Sequence, residues 1–114
     1  MYSINRQVIV IKPKTPYLDW VNTLMSSDEH MDIEALSTDC LSYLLPHFDD
    51  DKETNRYIKK IYDQIFELEL EGWSTDERTW PPKRTYPLFK KWFSIETHSE
   101  VIDVLKTKIE KEPI

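Results

Sequence analysis

DDKETNRYIKKIYDQIFELELEG, residues 50–72, is the stretch on which the fold turns. Asp50 and Glu53 have the spacing of a capping box, an acid at the cap and a second acid three residues on. Ile58, Ile61, Ile65 and Leu68 recur at helical spacing, and Tyr57, Tyr62 and Phe66 widen the same apolar face. These signals predict an amphipathic helix over 51–71. Gly72 is the only glycine of the chain. A left-handed C-cap is expected there, with Trp73 folding back onto Leu68.

Upstream, Gln7–Lys12 reads as a strand, since Val8-Ile9-Val10-Ile11 is a β-branched run bounded by Pro13. A run of that kind predicts burial on both faces. Thr15 is the expected N-cap of the next helix, with Pro16 at its first position. Tyr17, Trp20, Val21 and Leu24 then mark one helical face, ending near Met25. Asp32–Ser37 can form one further helical turn. Leu41–Phe48 is a second strand, with Pro46 marking its end or an edge position.

Downstream, Ser74–Pro87 is rich in turn formers, and Pro87 opens a short helix running through Trp92. Phe93, Ile95 and Thr97 alternate with Ser94, Glu96 and His98, the pattern of a half-buried strand. Val101, Ile102, Leu105 and Ile109 also fit a helix, but Val101-Ile102 and Val104-Leu105 can prolong the strand across a bulge. The preferred reading is a strand to about residue 104 with a frayed tail over 106–114. The expected fold is α+β in the order β-α-β-α-β, one domain over 1–114. It places a small three-stranded sheet under two main helices packed on one face. Parallel and mixed strand pairing both remain open.

Composition narrows what such a fold can do. The chain has 114 residues, too few for two separate cores, and is 39% hydrophobic and 32% charged. Four Trp, six Tyr and four Phe supply the apolar surface for one core. A single cysteine excludes an internal disulfide framework and a multi-cysteine zinc site. No apolar run is long enough to span a membrane, and Met1–Arg6 lacks the features of a signal peptide. A soluble domain of a reducing compartment, the cytoplasm, is expected.

The net charge of −6 is arranged in blocks. Residues 1–14 carry Arg6, Lys12 and Lys14 and no acid. Residues 15–51 carry nine acids and no Lys or Arg. An acidic surface of this kind repels phosphate backbones and favours basic partners, or simply keeps the chain soluble.

For chemistry the residues offer little. His47 precedes Asp49-Asp50-Asp51, and His98 follows Glu96 by two residues. A His/carboxylate set is what a catalytic metal needs, so His47, Asp49 and His98 form the alternative site of a small metal-dependent hydrolase. None of the three has diagnostic ligand spacing, and carboxylates at a helix start have a simpler reason to be there. Cys40 has no neighbouring cation to stabilise a thiolate. One glycine excludes a nucleophile elbow, a Walker loop and a dinucleotide fingerprint. No catalytic residue and no cofactor are implied.

The most informative segment is aromatic and basic. Trp73, Trp80, Tyr86, Phe89, Trp92 and Phe93 interleave with Arg78, Lys83, Arg84, Lys90 and Lys91. These residues can stack single-stranded bases, anchor a protein partner, or tie an irregular segment to the core. The partner reading makes Arg78, Trp80, Lys83, Arg84, Tyr86, Lys90 and Trp92 the contact surface. Trp80 and Trp92 are then anchors, and Arg84 and Lys90 steer an acidic protein or a second copy of the chain. Nucleic acid is disfavoured by the overall acidity.

Several short stretches carry a resemblance: Asn5-Arg6, Asp19-Trp20, Glu69-Leu70-Glu71-Gly72-Trp73, Asp76, Trp80-Pro81, Phe89, Trp92-Phe93 and His98-Ser99. Through them the chain resembles a small family of uncharacterised bacterial proteins. The resemblance implies an intracellular bacterial single domain, carries over no catalytic residue, and implies an extended segment from Phe93 onward. Glu100 and the late lysines Lys106, Lys108 and Lys111 weigh against that extension. The expectation overall is a non-enzymatic protein-interaction domain, with a metal-dependent hydrolase and a single-strand binder as the alternatives.

Overall fold

The computed structural model describes residues 1–114. Its elements are β1 (Tyr2–Ser3), β2 (Arg6–Pro13), α1 (Thr15–Thr23), α2 (Ile33–Leu36) and β3 (Ser42–Pro46), followed by α3 (Asp51–Glu71), α4 (Tyr86–Trp92), β4 (Phe93–His98) and β5 (Ile102–Asp103). Single 3-10 turns lie at Ser27–Glu29 and Glu77–Thr79. The class is α+β, as expected, and both main helices and the short ones expected at 32–37 and 87–92 are present. The strands, however, form two antiparallel sheets of three and two strands in place of one sheet in the order β-α-β-α-β.

β2 is the centre of the main sheet, order β3-β2-β4, and pairs antiparallel with both neighbours. Pro46 ends β3 on the sheet edge, where a missing N–H costs no ladder bond. Burial alternates along β2: Gln7, Ile9 and Ile11 are buried, while Val8 and Val10 are only half-buried. The expected burial on both faces is therefore corrected, because all the long helices lie over one face only. Ile11 pairs with Ile95, Pro13 with Phe93 and Gln7 with Leu45, which builds that inner face. On the open face Lys12 bridges Glu96 at 3.1 Å, and His98 Nε2 lies 3.0 Å from the same carboxylate.

The helices follow their sequence signals closely. Asp50 Oδ1 accepts the Glu53 N–H at 2.8 Å, and α3 runs over the expected residues. Thr85 caps α4 through the Leu88 N–H, with Pro87 in the first turn. Asp32 caps α2 through Ala35. Two caps are corrected. Lys14 stands at the N-cap of α1 without a side-chain bond, so Thr15 is inside the helix. Gly72 has φ −60 and ψ −21, right-handed values that any residue adopts, and no residue has positive φ. The last turn of α3 is closed instead by the N–H groups of Trp73 and Ser74, which both reach Leu70 O at 3.0 Å.

One core lies between the inner sheet face and the helices. Phe66 packs on Phe89, Trp92 and Phe93 with ring centroids 5.5–5.7 Å apart. Tyr17 reaches Phe93 at 4.6 Å from the α1 side. The strand beginning at Phe93 stops at His98 and does not run to about 104. Ile102–Asp103 pairs instead with Tyr2–Ser3 in a separate two-stranded sheet. This minor sheet and the chain beyond it form an arm on the body. The radius of gyration is 15.8 Å and the extents are 46 × 29 × 26 Å. A compact chain of this length would have a radius near about 13 Å.

Candidate functional site

The aromatic-basic segment turns its rings inward. Trp80 is only 8% exposed, and its Nε1 donates to Ser74 O at 2.8 Å. Trp92 is half-buried against Tyr17, Trp20 and Phe66. Both expected anchors are thus placed against the core: Trp92 from the end of α4, and Trp80 from the 73–85 connection, which has little regular structure of its own. That connection is fastened by aromatic donors: Trp20 Nε1 to Thr79 O at 2.8 Å and Tyr62 OH to Arg84 O at 3.2 Å. The cations lie over these rings. Arg84 sits 5.5 Å from the Trp80 centroid, and Lys90 sits 4.7 Å from that of Tyr86. Arg78 is held locally by Asp76 at 3.0 Å, and Lys83 is exposed.

His47, Asp49 and His98 are not brought together. His98 belongs to the open face of the sheet. Asp49 lines a cleft at the start of α3 together with Gln7, Ile95 and Thr97, side chains of the opposite face. His47 is exposed just past the end of β3. No group of three or more His, Cys, Asp or Glu side chains is close enough to hold a metal ion.

Two other places gather unusual side chains. The first is a groove of about 430 Å³ along the arm, lined by Tyr2, Leu44, Leu105 and Ile109, with Arg6, Lys106, Lys108 and Lys111 also among its lining residues. Leu105 is 65% exposed, and Tyr2, Leu44, Ile102, Val104 and Ile109 also stand open to solvent. Large apolar side chains left uncovered together are unusual on a folded surface. The acids of the block 15–51 are surface too. All nine are exposed, and none makes an ion pair.

The second is a cavity of about 260 Å³ between α1, the α2–β3 connection and the end of α3, lined by Tyr17, Leu36, Asp39, Cys40, Glu69 and Trp73 among others. Glu69 is 8% exposed, yet no cation pairs with it. Its Oε2 accepts the Tyr43 hydroxyl at 2.6 Å, and its main-chain carbonyl, freed at the helix end, accepts the Tyr17 hydroxyl at 2.7 Å. Burial pushes the Glu69 carboxyl up to about 7, against the pull of the Tyr43 hydrogen bond. Burial and this carboxylate together raise both tyrosines and the Cys40 thiol above their ordinary ranges.

Neither place was singled out from the residues alone. For Glu69 a signal exists: it follows Ile65 by four residues and Phe66 by three, so it falls on the apolar stripe of α3. For the arm, the spaced apolar residues Ile102, Val104, Leu105 and Ile109 near the chain end were the only trace. The chain matches no family model, no curated protein and no solved structure.

Proposed function

We propose that this chain is a bacterial, cytoplasmic, non-enzymatic interaction domain, and that its arm docks on a second copy of itself. The observation that supports this is the apolar groove of the arm, lined also by Arg6, Lys106, Lys108 and Lys111. The same chain carries its electrostatic counterpart. The exposed acids Asp19, Asp28, Glu29, Asp32 and Glu34 lie around α1 and α2, and two Asn22–Met31 hydrogen bonds hold the connection between those helices to α1. Apolar side chains leaving water would supply the binding free energy, and the opposite charges would set orientation and speed encounter. Reciprocal contact of each arm with the other copy's acidic surface closes a twofold dimer and leaves no growing end.

Sedimentation equilibrium over a range of concentrations tests this. The expected outcome is a reversible dimer that weakens as salt rises, because exposed charges are screened beyond a Debye length of about 10 Å at 0.1 M. The paired substitution Leu105→Glu/Ile109→Glu should give a monomer with an unchanged circular dichroism spectrum. A wild-type chain that stays monomeric at every concentration, or a dimer indifferent to the paired substitution, would overturn the proposal.

A further inference from the structure

The cavity over Glu69 stands apart from the arm and asks for a ligand of its own. Its polar chemistry is all of one sign. Glu69 lies in depth and Asp39 on an exposed part of the lining, while Tyr17, Tyr43 and Cys40 are the other titratable groups around the carboxylate. No lysine, arginine or histidine lines it. The tyrosine hydroxyls are committed, one to Glu69 Oε2 and the other to the Glu69 carbonyl. Glu69 Oε1 has no partner within the chain, and it is not sealed off, since every fully enclosed side-chain polar atom is bonded. Leu36, Leu68 and the 38% exposed Trp73 supply apolar walls.

We infer that this cavity is a binding site for a small organic cation, a primary ammonium or guanidinium on an apolar stem. Its charged head pairs with Glu69 while Tyr43 holds the carboxylate in position. The stem lies against Leu36, Leu68 and Trp73. Such a ligand supplies the counter-charge that the fold withholds, and a buried carboxylate gains most from a partner that is both charged and a hydrogen-bond donor. The cavity is below the usual range of about 300–1,000 Å³ for drug-sized ligands, so the ligand is a compact one. The tyrosines and the thiol are all shifted upward, so Glu69 is the group among them that changes charge near neutral pH.

The test uses benzylamine and agmatine as cationic probes and benzyl alcohol as the neutral control, followed by heteronuclear NMR on the whole chain. Both amines should shift the resonances of Glu69, Tyr43 and the Trp73 indole, and the alcohol should not. Affinity should rise roughly tenfold from pH 6 to pH 8 as the carboxylate ionises. Glu69→Gln keeps the shape and removes the charge, and it should weaken binding by roughly tenfold or more. The pH dependence in the unaltered chain is a second readout that needs no variant. Absence of binding by either amine at millimolar concentration, equal binding of the alcohol, or shifts confined to other surfaces would each overturn the assignment.

Discussion

Phe66 and Leu105 are both large apolar side chains, and their surroundings are opposite. Phe66 is fully buried at the centre of an aromatic cluster, while Leu105 stands 65% exposed on the arm. The difference lies in what the neighbouring elements can offer. Around Phe66 a helical stripe from α3, the alternating face of β4 and the short helix α4 converge, so rings from three elements meet, Phe93 edge-on and Phe89 and Trp92 tilted. The arm has two strands of two residues each, and such a ribbon has no second layer to bury against. Opposed periodic elements therefore supply most of the core, and Trp80 joins it from the irregular connection, held by its Nε1 bond to Ser74 O. Elsewhere, as on the arm, apolar side chains are left open to solvent.

The largest effect is expected at Phe66. Phe66→Ala should destabilise the fold by about 3–5 kcal/mol, the transfer term plus the cavity left among packed rings. Urea unfolding followed by tryptophan fluorescence measures it. A loss below about 1 kcal/mol would mean that the cluster repacks and that the interior is no more specific than the arm.

Glu69 sharpens the contrast from inside the body, where a carboxylate occupies a place that the helix period assigns to an apolar residue. The folded state holds its proton up to about pH 7, whereas the unfolded chain releases it near the ordinary value of 4.5. Between those values the native state binds more protons than the unfolded one, so stability should fall as pH rises from about 4.5 to 7. At about 1.4 kcal/mol per unit the loss is at most on the order of 3 kcal/mol. Glu69→Gln should abolish it, leaving the variant more stable than the parent at pH 8 and no more stable at pH 4.5. Urea midpoints across that range, for both proteins, decide the matter.

Most of the body was legible from residue spacing. Asp50, Glu53 and the stripe from Ile58 to Leu68 placed the start and body of α3, because capping and amphipathic period agree there, while the left-handed cap expected at Gly72 does not form. Phe93, Ile95 and Thr97 marked β4 by strict alternation. What could not be read was tertiary. Val8 and Val10 are β-branched aliphatics like Ile9 and Ile11, and only the placement of every long helix on one face leaves them half-covered. Trp80 and Trp92 sit among lysines and arginines in the chain and face the core in space. The irregular segment around Trp80 has no period to announce its inner side, and the seven-residue α4 is too short to show one for Trp92. Neither candidate site has a motif. One is a single acid on an apolar stripe, and the other is scattered leucines and isoleucines at the chain end.

Gly72 tests the smaller scale of the same lesson. Its backbone is right-handed, and a methyl group placed there would meet only Glu69 O at 3.7 Å and Leu68 O at 3.8 Å, ordinary contact distances. Gly72→Ala should therefore raise stability by about 0.4–1 kcal/mol, through the lost freedom of the unfolded chain. A left-handed cap would have reversed the sign. Thermal unfolding read by circular dichroism separates the two.

The smallest effect is expected on the arm. Leu105→Ser removes as much apolar surface as many core substitutions, yet the site is already open to water in the isolated chain. Its urea midpoint should shift by no more than about 0.5 kcal/mol, the usual scale for exposed positions. The measurement belongs at low protein concentration, since association stabilises any state that binds and would lend the side chain a stability it lacks in the monomer. At high concentration the same substitution should lower the apparent stability if it weakens the proposed pairing of two copies. A large loss already present in the dilute chain would show that the arm packs against its own body, and the contrast between Phe66 and Leu105 would then be one of degree.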